Sequence, residues 1–269
     1  MSAGTILLVG CGQMGSAMLR GWLKASSASR FVVVEPAGAA PPLASSRAVE
    51  AHLAADELPD GLAVDAVVFA VKPQGINDIV PAYRRFARAQ TVFVSIAAGT
   101  TIANLARHLG DAAIVRVMPN TPAAIGRAIS VACANPRVTA AQRQLCDALL
   151  ASIGGSAWVE DERLMDPVTA VSGSGPAYVF LLIETLAAAG AKAGLPAELA
   201  LKLAKATVAG AGELALVSPE SPGRLRENVT SPGGTTRAAL DVLMGEDGLA
   251  ALMDRAVAAA TRRSRELAS

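Results

Sequence analysis

Short apolar runs alternate with amphipathic stretches through the first part of the chain. "TILLVG" (5–10), "FVVVE" (31–35), "DAVVFAV" (65–71), "TVFVSI" (91–96), "AIVRVM" (113–118) and "AISVACA" (128–134) read as strands. They are continuous in Val, Ile, Leu and Ala, the pattern of parallel strands covered on both faces. Helical spacing falls between them at 14–26 and around 76–88, 101–109 and 139–153. Strand–helix alternation of this kind predicts a doubly wound α/β sheet.

From about Glu160 the strand-like runs stop and the remainder reads as helices. The segment 196–217 opens with Pro196 near its first turn. The last helix carries Leu249, Leu252, Met253, Ala256, Val257 and Ala260 as one apolar stripe, with Arg255, Arg262 and Arg263 largely off it. The pattern therefore divides the chain into an α/β domain, 1–159, and an all-helical domain, 160–269. "EPAGAAPPLASS" (35–46) is expected to be a loop after the second strand. The length, 269 residues, suits two domains.

Composition refines this picture. The net charge of +1, from 24 basic and 23 acidic residues, gives no support for a nucleic-acid or membrane-surface partner. The chain is 52% hydrophobic and only 17% charged, so some of its surface is expected to be covered by another copy of itself. The most apolar segment, 167–183, is interrupted by "SGSGP", and no membrane span or signal peptide is expected. Cys11, Cys133 and Cys146 are scattered without a CxxC pair, which reads as free thiols in the cytoplasm.

The candidate chemistry begins at "LLVGCGQMGSAML". Gly10, Gly12 and Gly15 form GxGxxG between the first strand and the first helix. The first glycine serves a tight turn, the second the approach of a pyrophosphate, and the third helix–strand packing. Glu35 ends the next strand, where a carboxylate accepts from the adenosine ribose hydroxyls and repels a 2′-phosphate. It favours NADH over NADPH; as a bare residue it also fits a solvated strand end. "AVKPQ" places Lys72 and Pro73 after the third predicted strand, and "SIAAGT" places small residues, Ala97 and Ala98, after the fourth. Small side chains there let a flat nicotinamide ring come close.

His52 and His108 both fall in stretches that read as ordinary helix or loop. No Ser–His–acid set, HExxH or Cys/His cluster with metal spacing can be proposed, and no metal is expected. A nicotinamide enzyme needs none of them. "VTSPGGTT" (229–236) leads into "RAALDVLMG". Free N–H groups at a helix start, carried on glycines, suit an anion, although Thr is also an ordinary N-cap.

With "AVSGSGPAYVF" (170–180), "VMPNTPA" (117–123), "AVKP" and "VTSPGGTT", the chain resembles the pyrroline-5-carboxylate reductases along its whole length. The resemblance implies a Rossmann domain followed by a helical dimerisation domain, with dimers that assemble further, often to decamers. It implies reduction of the C=N bond of 1-pyrroline-5-carboxylate to proline by NADPH or NADH, the last step of proline synthesis. Cofactor contacts then fall on Gly10, Cys11, Gly12, Gln13, Met14 and Gly15, on Ala70, Val71, Lys72 and Pro73, on Ala97 and Ala98, and on Asn228. Substrate contacts fall on Ser231, Gly233, Gly234, Thr235 and Thr236. Thr236 matches the threonine whose hydroxyl approaches the substrate ring nitrogen. Gly210 and Gly212 fit close helix approach. Hydroxyacid and 6-phosphogluconate-type dehydrogenases share the glycine loop but place a catalytic lysine in a second-domain helix. Lys192 and Lys202 lack the surrounding motif. A nucleotide sensor on the same scaffold would have no reason to keep "SPGGTT".

Overall fold

The computed structural model describes residues 3–38, 43 and 45–268. The chain divides into two compact units. The first runs to Gly173 and takes in the chain again from Ala260; the second is Ser174–Ala259. The strands end at Trp158, close to the boundary expected at 159/160, and the first unit continues for some fifteen residues of helical turns beyond it.

The first unit is built on an eight-stranded sheet: β1 (Ala3–Val9), β2 (Ala28–Val34), β3 (Val49–His52), β4 (Ala66–Phe69), β5 (Val92–Ser95), β6 (Ala113–Met118), β7 (Ala128–Ala134) and β8 (Gly154–Trp158). Their spatial order is β3-β2-β1-β4-β5-β6-β7-β8. All neighbours are parallel except β6 and β7. Alternate residues of β1 enter different cores. Ile6 and Leu8 pack with Met18, Leu19 and Trp22 of α1 (Gln13–Ala25) and with Leu149 and Leu150 of the helix Ala140–Ala151. Leu7 and Val9 pack with Tyr83, Phe86, Leu105 and Leu109 on the other face. Burial on both faces is why the strand runs are continuously apolar.

Three expectations are corrected. β3 and β8 are edge strands with the sequences VEAH and GGSAW, too short and too polar to read as apolar runs. His52 consequently lies on a strand. The helix expected over 76–88 is one α-turn, α2 (Ile76–Ile79), followed by a 3-10 segment, Val80–Phe86. Pro81 causes the change, because it lacks an N–H and its ring crowds the carbonyl four residues back. The helical turns from Glu162 to Lys192 run on through "SGSGP" and, by length and composition, are long and apolar enough to cross a membrane. Pro176 does not break them because it lies in the first turn of the helix Gly175–Lys192. Of the expected loop 35–46, positions 39–42 and 44 lie outside the described residues.

The second unit is helical. Gly175–Lys192 packs against Ala197–Val217, and Pro222–Asn228, Thr235–Leu243 and the start of Leu249–Ala268 follow. Among the described residues of this unit only Ala200 and Ala204 are buried hydrophobics, whereas Phe180, Leu181, Leu203 and Leu216 are exposed. Helices apolar on all sides are normally covered, and within one chain these are not. A Cβ at Gly210 or Gly212 would likewise meet nothing within 4 Å.

Candidate active site

The three glycines of the first loop do three different things. Gly10 has φ +91, and a Cβ there would lie 2.9 Å from the carbonyl of Ala70. Gly12 is the N-cap of α1 and faces open space, with nothing within 4 Å of a Cβ. A Cβ on Gly15 would lie 2.3 Å from the oxygen of Gly10, so helix and loop pack backbone to backbone. Among the described residues no side chain caps α1, which leaves its opening amides for an anion. The positive φ of Gly10 and the close packing of Gly15 meet the conformational demands read from the sequence, and the residues present fit a dinucleotide pyrophosphate. Cys11 is buried, and its carbonyl accepts from Ser16 Oγ at 2.6 Å; Gln13 is exposed and Met14 half-buried.

Glu35 is not a free strand-end carboxylate. Its Oε2 accepts from the Cys11 amide at 2.7 Å and its Oε1 from the Ala37 amide at 3.2 Å. The acid is therefore locked to the glycine loop. It lines a mainly apolar cavity of ≈ 520 Å³ together with Gly10, Gly12, Ala70, Val71 and Lys72. Leu53, Ala54 and Ala55, just after β3, form another wall of this cavity. The sequence reading missed them because β3 itself was not legible. Lys72 is the single cation among the described lining residues.

Strand order aligns the remaining residues of this unit. β1, β4 and β5 are neighbours, with Val9, Phe69 and Ser95 in register. Gly10, Ala70–Pro73 and Ala97–Ala98 thus follow the carboxyl ends of three adjacent strands, where open α/β sheets bind ligands. Pro73 starts a 3-10 turn with Lys72 as its cap. Ala97 is buried and its amide donates to Ser95 Oγ at 3.3 Å; Ala98 packs partly on a cluster of Met118, Val131, Cys133 and Met165. Neither alanine lines the cavity that holds Glu35.

The other predicted residues lie in the second unit. Asn228 ends the helix Pro222–Asn228, and its Nδ2 donates to Glu220 Oε2 at 3.0 Å. Gly233 has φ +70, and the Gly234 amide closes the turn onto the Ser231 carbonyl at 3.1 Å. The helix Thr235–Leu243 has Gly234 as N-cap and no side-chain cap. The plain reading of a threonine cap does not hold: Thr235 and Thr236 are the first two helical residues. Thr230, Ser231, Pro232, Gly233 and Arg237 line a depression of ≈ 340 Å³ at this helix start.

A doubly wound sheet with a glycine cradle and an acid at the end of β2 defines a nicotinamide-dinucleotide oxidoreductase, here joined to a helical unit lacking a core of its own. Residues 162–267 match the family model for pyrroline-5-carboxylate reductase dimerisation, and residues 5–99 match that for NADP oxidoreductase, coenzyme F420-dependent. The pyrroline-5-carboxylate reductase of Pseudomonas aeruginosa is 40% identical over 274 residues, covering 100% of this chain and 98% of the relative. The solved structure of a pyrroline-5-carboxylate reductase from Coxiella burnetii superposes with a TM-score of 0.90 at 30% identity, covering 100% of both chains. That of the Plasmodium falciparum pyrroline carboxylate reductase, with NADP bound, gives 0.84 at 30% identity and the same coverage. The chain belongs to the pyrroline-5-carboxylate reductase family.

Proposed function

We propose that this chain reduces the C=N bond of 1-pyrroline-5-carboxylate to L-proline, prefers NADH to NADPH, and works in the cytoplasm as a homodimer through its helical unit. The observation that carries the substrate reading is the uncapped helix start at Gly234. A five-membered cyclic imine with a carboxylate needs amide and hydroxyl donors for that acid group, and the turn 231–236 offers both. When bound, the dihydronicotinamide supplies the hydride to the imine carbon. Thr236 holds the ring nitrogen by a hydrogen bond, and the proton arrives with the iminium form or from water, since a threonine hydroxyl is a poor acid. The rate enhancement then rests chiefly on proximity and orientation.

The cofactor preference rests on Glu35. A 2′-phosphate beside its carboxylate meets like charge, and the neighbouring wall, Leu53–Ala55, offers no cation. Self-association rests on the exposed apolar side chains of Gly175–Lys192 and Ala197–Val217, which a second chain, not lipid, would cover; further assembly of dimers, up to decamers, is compatible with this. The three cysteines are free and buried, as suits a reducing compartment. The test is a spectrophotometric assay of purified protein with 1-pyrroline-5-carboxylate and each reduced nicotinamide. Turnover with a higher kcat/KM for NADH is expected. No turnover refutes the reaction, and a large preference for NADPH refutes the reading of Glu35.

A further inference from the structure

Arg116 sits in the middle of β6 and is 3% exposed. Its Nη1 donates to Glu162 Oε1 at 3.0 Å, whereas its Nε and Nη2 have no partner among the described residues. Arg116 is buried while the Glu162 side chain stays 28% exposed, and the cost of taking the guanidinium out of water offsets much of the attraction in such a pair. Two orphaned donors worsen the balance. A charge in the centre of "AIVRVM" is therefore not explained by folding.

The same carboxylate oxygen has a second partner. Glu162 Oε1 accepts from the amide of Ile102 at 2.8 Å, and Ile102 is the first residue of the helix Ile102–Leu109. That helix starts directly after the loop 96–101. The Thr101 hydroxyl accepts from the Asn104 amide at 3.1 Å, and Glu162 satisfies the Ile102 amide two residues earlier. The loop is confined elsewhere too: Thr100 N–H donates to the Ala97 carbonyl at 3.2 Å, and Gly99, at φ +76, would bring a Cβ to 3.0 Å of the Leu267 carbonyl oxygen. β6 thus reaches the loop through one chain of contacts, from Arg116 to Glu162 to the Ile102 amide. All of these residues belong to the first unit.

We propose that Glu162, oriented by Arg116, is a positioning residue for the nicotinamide end of the cofactor: it pins the Ile102 amide and so holds Ala97 and Ala98 in place. This rests on the reading that those two alanines take the nicotinamide. It does not depend on the identity of the substrate.

Two double variants isolate the pin. Arg116→Met with Glu162→Leu removes both charges and the acceptor, and Arg116→Met with Glu162→Gln removes the charges but keeps an acceptor. The readout, without substrate, is the dissociation constant of NADH against that of ADP-ribose, which lacks the nicotinamide. ADP-ribose binding should stay within about twofold of wild type in both, whereas the advantage of NADH over ADP-ribose should fall about tenfold with Leu and be retained with Gln, as for one hydrogen bond. Equal ratios in the two variants would overturn the proposal. Wild-type protein that binds NADH no better than ADP-ribose would remove its foundation, while failure to reduce 1-pyrroline-5-carboxylate would refute only the proposed reaction. Amide exchange in the wild type gives an independent check should a variant fail to fold. The Ile102 amide must be strongly protected, and exchange at the unprotected rate would also overturn the proposal.

Discussion

Gly234→Ala separates the substrate turn from the fold. A Cβ at this position would lie 2.4 Å from Ser231 Oγ, 3.2 Å from the Ser231 carbonyl oxygen and 3.6 Å from its Cβ. The backbone accepts alanine without strain, since φ is −81 and ψ 172. The hydroxyl must move by about 1 Å to reach ordinary contact, and rotation about the Ser231 Cα–Cβ bond achieves this. Because the turn is largely exposed but Gly234 is an N-cap, where Ala is less favourable than Gly, the change in stability should stay within about 1 kcal/mol. If the Ser231 hydroxyl donates to the substrate carboxylate, its displacement forfeits a hydrogen bond to a charged group, about 1.5–3 kcal/mol. That corresponds to about a 10- to 150-fold loss in kcat/KM for the imine. The assay is steady-state reduction at saturating NADH, with the KM for NADH measured alongside and expected to be unchanged. Ser231→Ala should cause a similar loss, and the double variant should be no worse than either single one. An unchanged kcat/KM in Gly234→Ala, or additive losses in the double variant, would refute the assignment of Ser231.

Two further predictions concern other parts of the molecule. Gly15→Ala sets a Cβ 2.3 Å from a backbone oxygen that cannot rotate away, whereas Gly12→Ala meets nothing within 4 Å. Gly15→Ala should cost about 1–3 kcal/mol in stability and abolish tight nucleotide binding, while Gly12→Ala should keep stability to within about 1 kcal/mol yet weaken NADH binding at least tenfold; thermal unfolding and NADH fluorescence titration report both, and NADH affinity at the wild-type level in either would contradict the cradle. The Arg30 guanidinium, with His52 adding to it, holds the Glu50 carboxyl below its ordinary value of 4.5. Its contribution is therefore present above about pH 4.5 and is lost as pH falls through the lower folded-state value; because the pair is exposed, it is worth about 0.2–1 kcal/mol. Wild type should exceed Glu50→Gln in urea stability at pH 7 by that margin, and the difference should shrink as the pH is taken progressively below 4.5; a difference that grows on acidification would contradict the pairing.

Much of this protein was legible from local pattern. Six continuous apolar runs, three glycines at fixed spacing and a helix start preceded by "SPGG" need only near neighbours in the chain to express themselves. The doubly wound class followed from them, and so did the two glycine-borne turns proposed to hold a pyrophosphate and a carboxylate. Features whose partners lie far along the chain were not legible. VEAH and GGSAW become strands because a sheet edge is waiting for them, not because of their own composition. Leu53–Ala55 become a cavity wall only once VEAH is placed, and Glu35 becomes a clamp on the Cys11 amide only when β1 and β2 pair. Arg116 shows the division most clearly. The sequence alone marks a charge within an apolar strand, while its meaning depends on Glu162, 46 residues away, sharing one oxygen with the Ile102 amide. Local propensity determined the elements and the glycine-borne sites. Burial and long-range hydrogen bonding, which act on groups distant in the chain, decided how those sites are held.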